Sequence, residues 1–317
     1  MKISKVCILG GSGFVGRHIA NLLAQQNIYL RVPTRRRERA KHLIVLPTID
    51  VNEVLSLNES ELIAQFSGID AVINLVGILH EGKGKNSFGA AHIDLAHNVV
   101  NACQKAGVKR LLHMSALNAS TNAASHYLQS KGEAELIVKA AMDKLAITIF
   151  RPSVIFGQGD SFLNRFAELV KLFPILPLAK ANARFQPVYV GDIAKVFINS
   201  LNNVHDNGKS YDVCGPEVFT LKELVEFVGT TIDEKPWIIP LSDGLSSLQA
   251  SILEHLPGKM LTRDNLKSME LDSVCNCSFA SQFGFEPTSL VSVAPAYLAE
   301  KNPRGQYQSY RRHHMGR

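Results

Sequence analysis

The sequence predicts an α/β protein, a Rossmann-type doubly wound parallel sheet with a smaller, mainly helical C-terminal lobe. Short apolar runs alternate with amphipathic stretches through the first half of the chain, the pattern of strands joined by crossover helices. A glycine-rich turn, Gly10-Gly11-Ser12-Gly13-Phe14-Val15-Gly16, follows the first apolar run directly. Beyond residue 158 seven prolines, from Pro174 to Pro257, cut the alternation into short pieces. The expected division is a core of residues 1–157, a lobe of residues 158–300 and a basic tail of residues 301–317. A segment at about 185–200 returns to the core.

Each core element has its own signal. Lys5–Leu9 is predicted as the first strand and residues 15–25 as the first helix. Strands follow at 29–33, 43–46 and 71–75. A long helix is expected over residues 90–106, where Gly107 stops it. Arg110–Met114 is the fifth strand, 127–142 the next helix, and 146–150 the sixth strand.

Composition excludes several classes. The hydrophobic fraction is 46% and the charged fraction 20%, which suits a packed globular core. The net charge is +6, and five of those charges belong to Lys301, Arg304, Arg311, Arg312 and Arg317, after which no acid compensates. Such a tail suits an anionic membrane surface, nucleic acid or an acidic partner. A frayed, solvated terminus is the simplest reading, and nucleic-acid binding is set aside. Five scattered cysteines, Cys275-Asn276-Cys277 among them, lack metal-ligand spacing. No metal is expected, and reduced thiols in a cytoplasmic setting are the simpler account.

The glycine turn sits where a dinucleotide site needs it, after a strand and before a helix. Gly10 permits the tight turn, Gly13 lets backbone approach a pyrophosphate, and Gly16 allows close helix–strand packing. Ser12, Phe14 and Val15 complete the phosphate-facing turn, and the helix N-terminus presents free N–H groups. After the second strand stands Thr34-Arg35-Arg36-Arg37 rather than an acid. A guanidinium suits a 2′-phosphate, so NADP(H) is preferred over NAD(H), with Arg35 as its partner. Asp50 and Val51 are placed where the adenine would be recognised. Tyr127 and Lys131 stand four residues apart, on one face of a helix. The ammonium would lower the phenol's pKa, as acid/base chemistry requires.

On these residues the chain resembles the extended, atypical short-chain dehydrogenase/reductases. Within them it is most similar to the branch containing the Rossmann accessory subunit of respiratory complex I and its bacterial relatives. Further matching stretches are Asn74-Leu75-Val76-Gly77, His113-Met114-Ser115-Ala116-Leu117, Arg151-Pro152-Ser153-Val154, Gln186-Pro187-Val188-Tyr189 and Tyr211-Asp212-Val213-Cys214-Gly215-Pro216. The resemblance implies that Leu75, Val76 and Gly77 line the cofactor and that Pro152 and Val154 lie near the nicotinamide. It also implies a catalytic set of Tyr127, Lys131 and Ser115. The chain departs from that pattern in carrying Ala116 where active members have a second hydroxyl, and His92 where many have Asn. Ser125 is the best replacement hydroxyl. The leading function is an NADP(H)-dependent oxidoreductase acting on a small apolar carbonyl or alcohol through Tyr127 and Lys131; the alternative is a cofactor-bound structural or assembly protein of a respiratory complex or membrane surface. A sugar-nucleotide epimerase or dehydratase is a third. Residues 170–178, apolar between prolines, could line a pocket for a lipophilic substrate or rest against a membrane or partner protein, and core packing under the lobe is the simpler reading; Trp237 and the helix-like residues 245–256 are read most simply as core of the same lobe.

Overall fold

The computed structural model describes residues 3–256 and 259–299. In chain order the first unit runs β1 (Lys5–Leu9), α1 (Phe14–Gln25), β2 (Tyr29–Thr34), α2 (Lys41–Ile44), β3 (Ile49–Glu53), α3 (Glu59–Phe66) and β4 (Ala71–Asn74). It continues through α4 (Leu95–Lys105), β5 (Arg110–Met114), α5 (His126–Lys139) and β6 (Ala146–Pro152). The chain then passes through β7 (Ile155–Phe156), α6 (Phe162–Leu172), β8 (Ile175–Leu178), β9 (Arg184–Phe185) and β10 (Val188–Tyr189), which belong to a second unit. It returns to the first unit with α7 (Val190–Asn202) and β11 (Lys209–Val213). The remainder of the second unit holds β12 (Phe219–Thr220), α8 (Leu221–Thr231), β13 (Trp237–Pro240), α9 (Asp243–Leu253), α10 (Arg263–Ser268), α11 (Phe279–Phe283) and α12 (Leu290–Ala299).

Seven strands form the central sheet in the order β11-β6-β5-β4-β1-β2-β3, and every pairing in it is parallel. Parallel neighbours need crossovers, so helices cover both faces and the central strands are apolar on both sides. On one face Cys7, Leu9, Val72, Leu111 and Ile147 pack under Leu62 and Phe66 of α3, Val99 and Cys103 of α4, and Val138 of α5. Helices α1 and α7 pack together. The strand order reverses between β1 and β4. That reversal opens a crevice at the carboxyl ends of those strands, the ligand site of open α/β sheets.

Two expectations are corrected here. The third strand is Ile49–Glu53, whereas residues 43–46 belong to a short helix and the turn after it. Leu43 is buried, but Val45 and Ile44 are exposed, so this apolar run covers one spot of core rather than crossing a sheet. The expectation of reduced thiols also fails for one pair. Cys214 and Cys275 form a disulfide within the second unit, because the chain brings them together across 61 residues where no spacing announces it. Cys7 and Cys103 are free and buried.

The second unit is built mainly from helices around Leu163, Val170, Leu224, Val228, Leu290 and Leu298. Asp160 accepts the backbone N–H of Leu163 and the hydroxyl of Tyr297, at 2.7 Å each. No helix among the described residues is long and apolar enough to cross a membrane.

Candidate cofactor and active site

The glycine turn is shaped by contacts that leave no room for side chains. Gly10 has φ +79°, and a Cβ there would meet the backbone of Leu75 and Val76 at 3.3 Å. A Cβ on Gly16 would lie 2.4 Å from the Gly10 carbonyl oxygen and 2.5 Å from the Gly11 Cα. Gly16 therefore lets α1 start in contact with the turn, as the sequence required. Gly13 is the N-cap residue and is exposed. No side chain caps this end of α1 and no acid stands in its first turn. Its leading N–H groups keep their hydrogen-bonding capacity and the positive end of the helix dipole for an anion. Ser12 and Phe14 are half-buried beside it and Val15 is buried.

Leu75 and Val76 lie against the turn, at the carboxyl end of β4. The Leu75 N–H donates to the Leu9 carbonyl and the Val76 N–H to Asn74 Oδ1. Gly77 is exposed, and a Cβ on it would stand 3.7 Å from His92 Nε2 and 3.8 Å from Lys131 Nζ. The glycine turn, β4 and the Lys131 amine thus border one space.

At the second strand, Arg35 is exposed directly after β2, with its guanidinium 3.4 Å from Asn86 Oδ1. Asp50 stands elsewhere than expected. It is the second residue of β3, opposite Arg31, where it accepts the Tyr29 hydroxyl at 3.0 Å and lies 3.9 Å from the Arg31 guanidinium. The parallel register puts Glu53 level with Thr34. Glu53 and Val54, not Asp50 and Val51, therefore stand at the carboxyl end of this edge. The three-residue shift follows from the misplaced third strand.

Helix α5 begins with Ser125, whose hydroxyl accepts the Leu128 N–H. Ser125 is thereby occupied as a cap. Tyr127 packs against Phe88 and His92, ring centroids 6.0 and 5.9 Å away, and against the buried cluster of Ala116, Ala123 and Leu128. Burial pushes the Tyr127 hydroxyl up to about 12, opposite to the expected direction. Lys131 is buried and donates to the Met114 carbonyl at 2.8 Å. Burial lowers its amine to about 8, against the pull of the Glu135 carboxylate.

Three features of this cluster escaped the sequence reading. Glu135, one turn beyond Lys131, is buried and gripped at two oxygens by Arg151, 2.7 and 2.5 Å away, with Lys139 at 3.1 Å. Burial raises its pKa, but hydrogen bonds from Arg151 above all hold the carboxyl below its ordinary value. The Ser115 hydroxyl faces this carboxylate without a well-formed hydrogen bond. Ala116, the next residue, belongs to the buried cluster against which Tyr127 packs. Second, His92 sits in a π-helical turn, Gly89–Asp94. Its Nε2 accepts the Ile78 N–H at 3.1 Å, and its Nδ1 lies 2.8 Å from Ser130 Oγ, which itself donates to the Tyr127 carbonyl. The ring is therefore neutral with its proton on Nδ1; burial lowers its pKa to about 3. Third, Gly132 packs on the Ser120–Thr121 backbone, where a Cβ would meet atoms at 2.4 to 2.7 Å. The i, i+4 repeat of Tyr127, Lys131 and Glu135 was the available signal.

Pro152 ends β6, and its carbonyl accepts the Leu117 N–H. Val154 belongs to the second unit, packed against its core. Among the described residues no cluster of His, Cys, Asp or Glu could hold a metal.

A parallel sheet with its switch point beside an uncapped, glycine-lined helix start defines a dinucleotide-binding Rossmann protein. The chain belongs to the NAD dependent epimerase/dehydratase family, whose model matches residues 6–214. It is 30% identical over 261 residues to the mitochondrial NADH dehydrogenase [ubiquinone] 1 alpha subcomplex subunit 9 of Arabidopsis thaliana, covering 80% of this chain and 64% of that one. To the mitochondrial NADH-ubiquinone oxidoreductase 40 kDa subunit of Neurospora crassa it is 24% identical, over 95% of this chain and 80% of the other. The match thus spans less than two thirds of the Arabidopsis relative's length. A structure with the same fold is an NADPH-dependent quinone oxidoreductase of Escherichia coli complexed with NADPH. Its TM-score is 0.71 at 17% identity, covering 93% of this chain and 98% of that one.

Proposed function

We propose that the protein is a nicotinamide-dinucleotide-holding accessory protein of a respiratory assembly, in which the cofactor is bound firmly and turned over slowly or not at all. One observation carries this reading. The glycine turn, the uncapped start of α1 and the Tyr127/Lys131 pair are retained, whereas the residue where a polarising hydroxyl would stand is Ala116, with the Ser115 hydroxyl on the Glu135 side. Losing one polarising donor costs on the order of 100-fold or more in rate. The names of the relatives, subunits of NADH dehydrogenase complexes, supply the assembly.

The residues fit the cofactor. The amino end of α1 would take the pyrophosphate, and the exposed Gly77 would border the cofactor beside His92 and Lys131. Lys131 and Tyr127 would hold the nicotinamide ribose, with Val76 and Pro152 beside it. Arg35 would pair with a 2′-phosphate, which favours NADP(H), and Glu53 with Val54 would border the adenine. When bound, the cofactor supplies a hydride donor or acceptor.

The intact Tyr127/Lys131 pair favours a second reading, an oxidoreductase on a small apolar carbonyl. Tyr127 would then move the proton to or from the substrate oxygen. Native purification, mass spectrometry of released nucleotide and identification of co-purifying proteins test the choice. Bound NADP(H) with respiratory subunits, and no hydride exchange with carbonyl substrates, is the expected result. Turnover that Tyr127→Phe abolishes would overturn it in favour of the oxidoreductase.

A further inference from the structure

The Cys275-Asn276-Cys277 run has no part in the nucleotide site, yet it places a thiol beside a disulfide. Cys214 and Cys275 are bonded to each other, whereas Cys277 keeps its thiol. All three belong to the second unit. Cys214 is buried, 3% exposed, while Cys275 and Cys277 are partly exposed. The two segments that carry the bond are also held together without it. Gln186 lies between them: its Oε1 accepts the Cys275 N–H at 2.9 Å and its Nε2 donates to the Gly215 carbonyl at 2.7 Å. Its own N–H donates to the Ser273 carbonyl, and its carbonyl accepts the Gly215 N–H. The Ser153 hydroxyl adds a bond to the Ser273 carbonyl at 2.9 Å. A Cβ on Gly215 would lie 1.9 Å from the Pro187 carbonyl oxygen, so the residue next to Cys214 packs directly on that backbone. Opening the disulfide therefore leaves its two sulfurs close, and proximity favours reclosure.

Cys277 is kept near Cys275 by the chain itself. Residues i and i+2 stand at most about 7 Å apart at Cα, and a disulfide spans Cα separations of about 4.4–6.8 Å. Asn276 between them is exposed, and no helix or strand includes residues 274–278. We propose that Cys277 is the exchange thiol of this bond, and that the three cysteines form a site at which small thiols and disulfides open and close the Cys214–Cys275 cross-link through a Cys275–Cys277 intermediate. In closing, glutathione disulfide oxidises the Cys275 and Cys277 thiols to a Cys275–Cys277 bond and is itself reduced to two glutathione thiols. The Cys214 thiolate then attacks Cys275 Sγ. The Cys214–Cys275 bond forms, the Cys275–Cys277 bond breaks with its electron pair on Cys277 Sγ, and Cys277 takes up the proton that Cys214 gave up. Opening is the reverse. Burial decides the resting side: water stabilises a thiolate on Cys277 better than on the buried Cys214, and the neutral disulfide takes the buried position. Cys214 is shielded from reagents, and the chain carries the exchange to it. The proposal neither needs nor tests the nucleotide reading.

The full-length protein, reduced while folded and freed of reductant, is mixed with glutathione disulfide. Samples are quenched with acid, alkylated and mapped as non-reduced peptides by mass spectrometry. In the native chain a Cys275–Cys277 bond should rise first and give way to Cys214–Cys275. Cys277→Ser should form Cys214–Cys275 at least about tenfold more slowly, and Cys214→Ser should stop with Cys275–Cys277 in place. Equal melting temperatures of the reduced native chain and both variants would show that folding is not the cause, and the intermediate trapped in the native chain depends on no variant. Closure at the same rate in Cys277→Ser overturns the proposal. So does a native chain that passes from free thiols or glutathione adducts to Cys214–Cys275 with no Cys275–Cys277 bond between, or a Cys214→Ser chain that collects glutathione adducts alone.

Discussion

Gly16 and His92 show how much a single position commits. At Gly16 even a methyl would overlap the Gly10 and Gly11 backbone by about an ångström, and the flexible end of no side chain is there to yield. Gly16→Ala is expected to displace the start of α1 and abolish nucleotide binding in calorimetry, with a stability loss of about 1–3 kcal/mol. At His92 the neutral ring is fixed by the Ile78 N–H, and its pKa falls from 6.5 to about 3. An unfolded chain binds the proton below pH 6.5 while the folded one refuses it until about pH 3. Stability is therefore complete above pH 6.5 and is lost as pH falls through that window. His113, lowered to about 3 by burial, acts in the same direction. Denaturant titrations between pH 3 and 7 should show a shallower pH slope for His92→Asn than for the native chain. For Arg35→Ala, NADP(H) affinity should fall at least about tenfold more than NAD(H) affinity; equal losses would remove the 2′-phosphate assignment.

Helix α5 is the element on which the candidate site depends. Its face carries Tyr127, Lys131 and Glu135 at successive turns, and Gly132 sets its distance from the Ser120–Thr121 segment. The Glu135–Arg151 pair ties the helix to β6. Glu135 is buried but Arg151 is part-exposed, and Lys139 still pairs with Glu135 at 3.1 Å, so losing Arg151 weakens the compensation of a buried carboxylate without stripping it. Arg151→Met is accordingly expected to lower the melting temperature, and Glu135→Gln with Arg151→Met together should recover part of the loss. The helix pattern was legible because its i, i+4 residues are polar and unusual. Third-strand placement was not legible. β3 is an edge strand paired only to β2, and its alternating Ile49, Val51 and Glu53 give a weaker signal than the continuous run in 43–46. The adenine-side expectation for Asp50 moved with it. The outward stripe of α9, with Leu245, Leu248 and Ile252 exposed, and the exposed Trp237 of β13 were likewise read as core, since an apolar pattern says which face is oily and not which way that face is turned.

For the whole molecule, the second unit is cross-linked by Cys214–Cys275 over a 61-residue separation. A closed loop of that length corresponds to about 4 kcal/mol of lost unfolded-state entropy in the chain-entropy model. Reduction, or Cys214→Ser with Cys275→Ser, should lower the second unit's melting temperature, and a thiol titration of the denatured, unreduced protein should find three free thiols, not five. The sheet order, with its reversal between β1 and β4, places the glycine turn, Leu75, Val76 and Gly77 at one edge. By itself, the sequence determined the alternation of strands and helices, the glycine turn and the Tyr127/Lys131 spacing, because each is a local pattern with a local physical cause. Tertiary structure alone decided the Cys214–Cys275 bond, the Glu135–Arg151 lock, the neutral state of His92 and the direction of the Tyr127 shift. Each of these depends on burial or on partners distant in the chain, and neither quantity is written in the spacing of neighbouring residues.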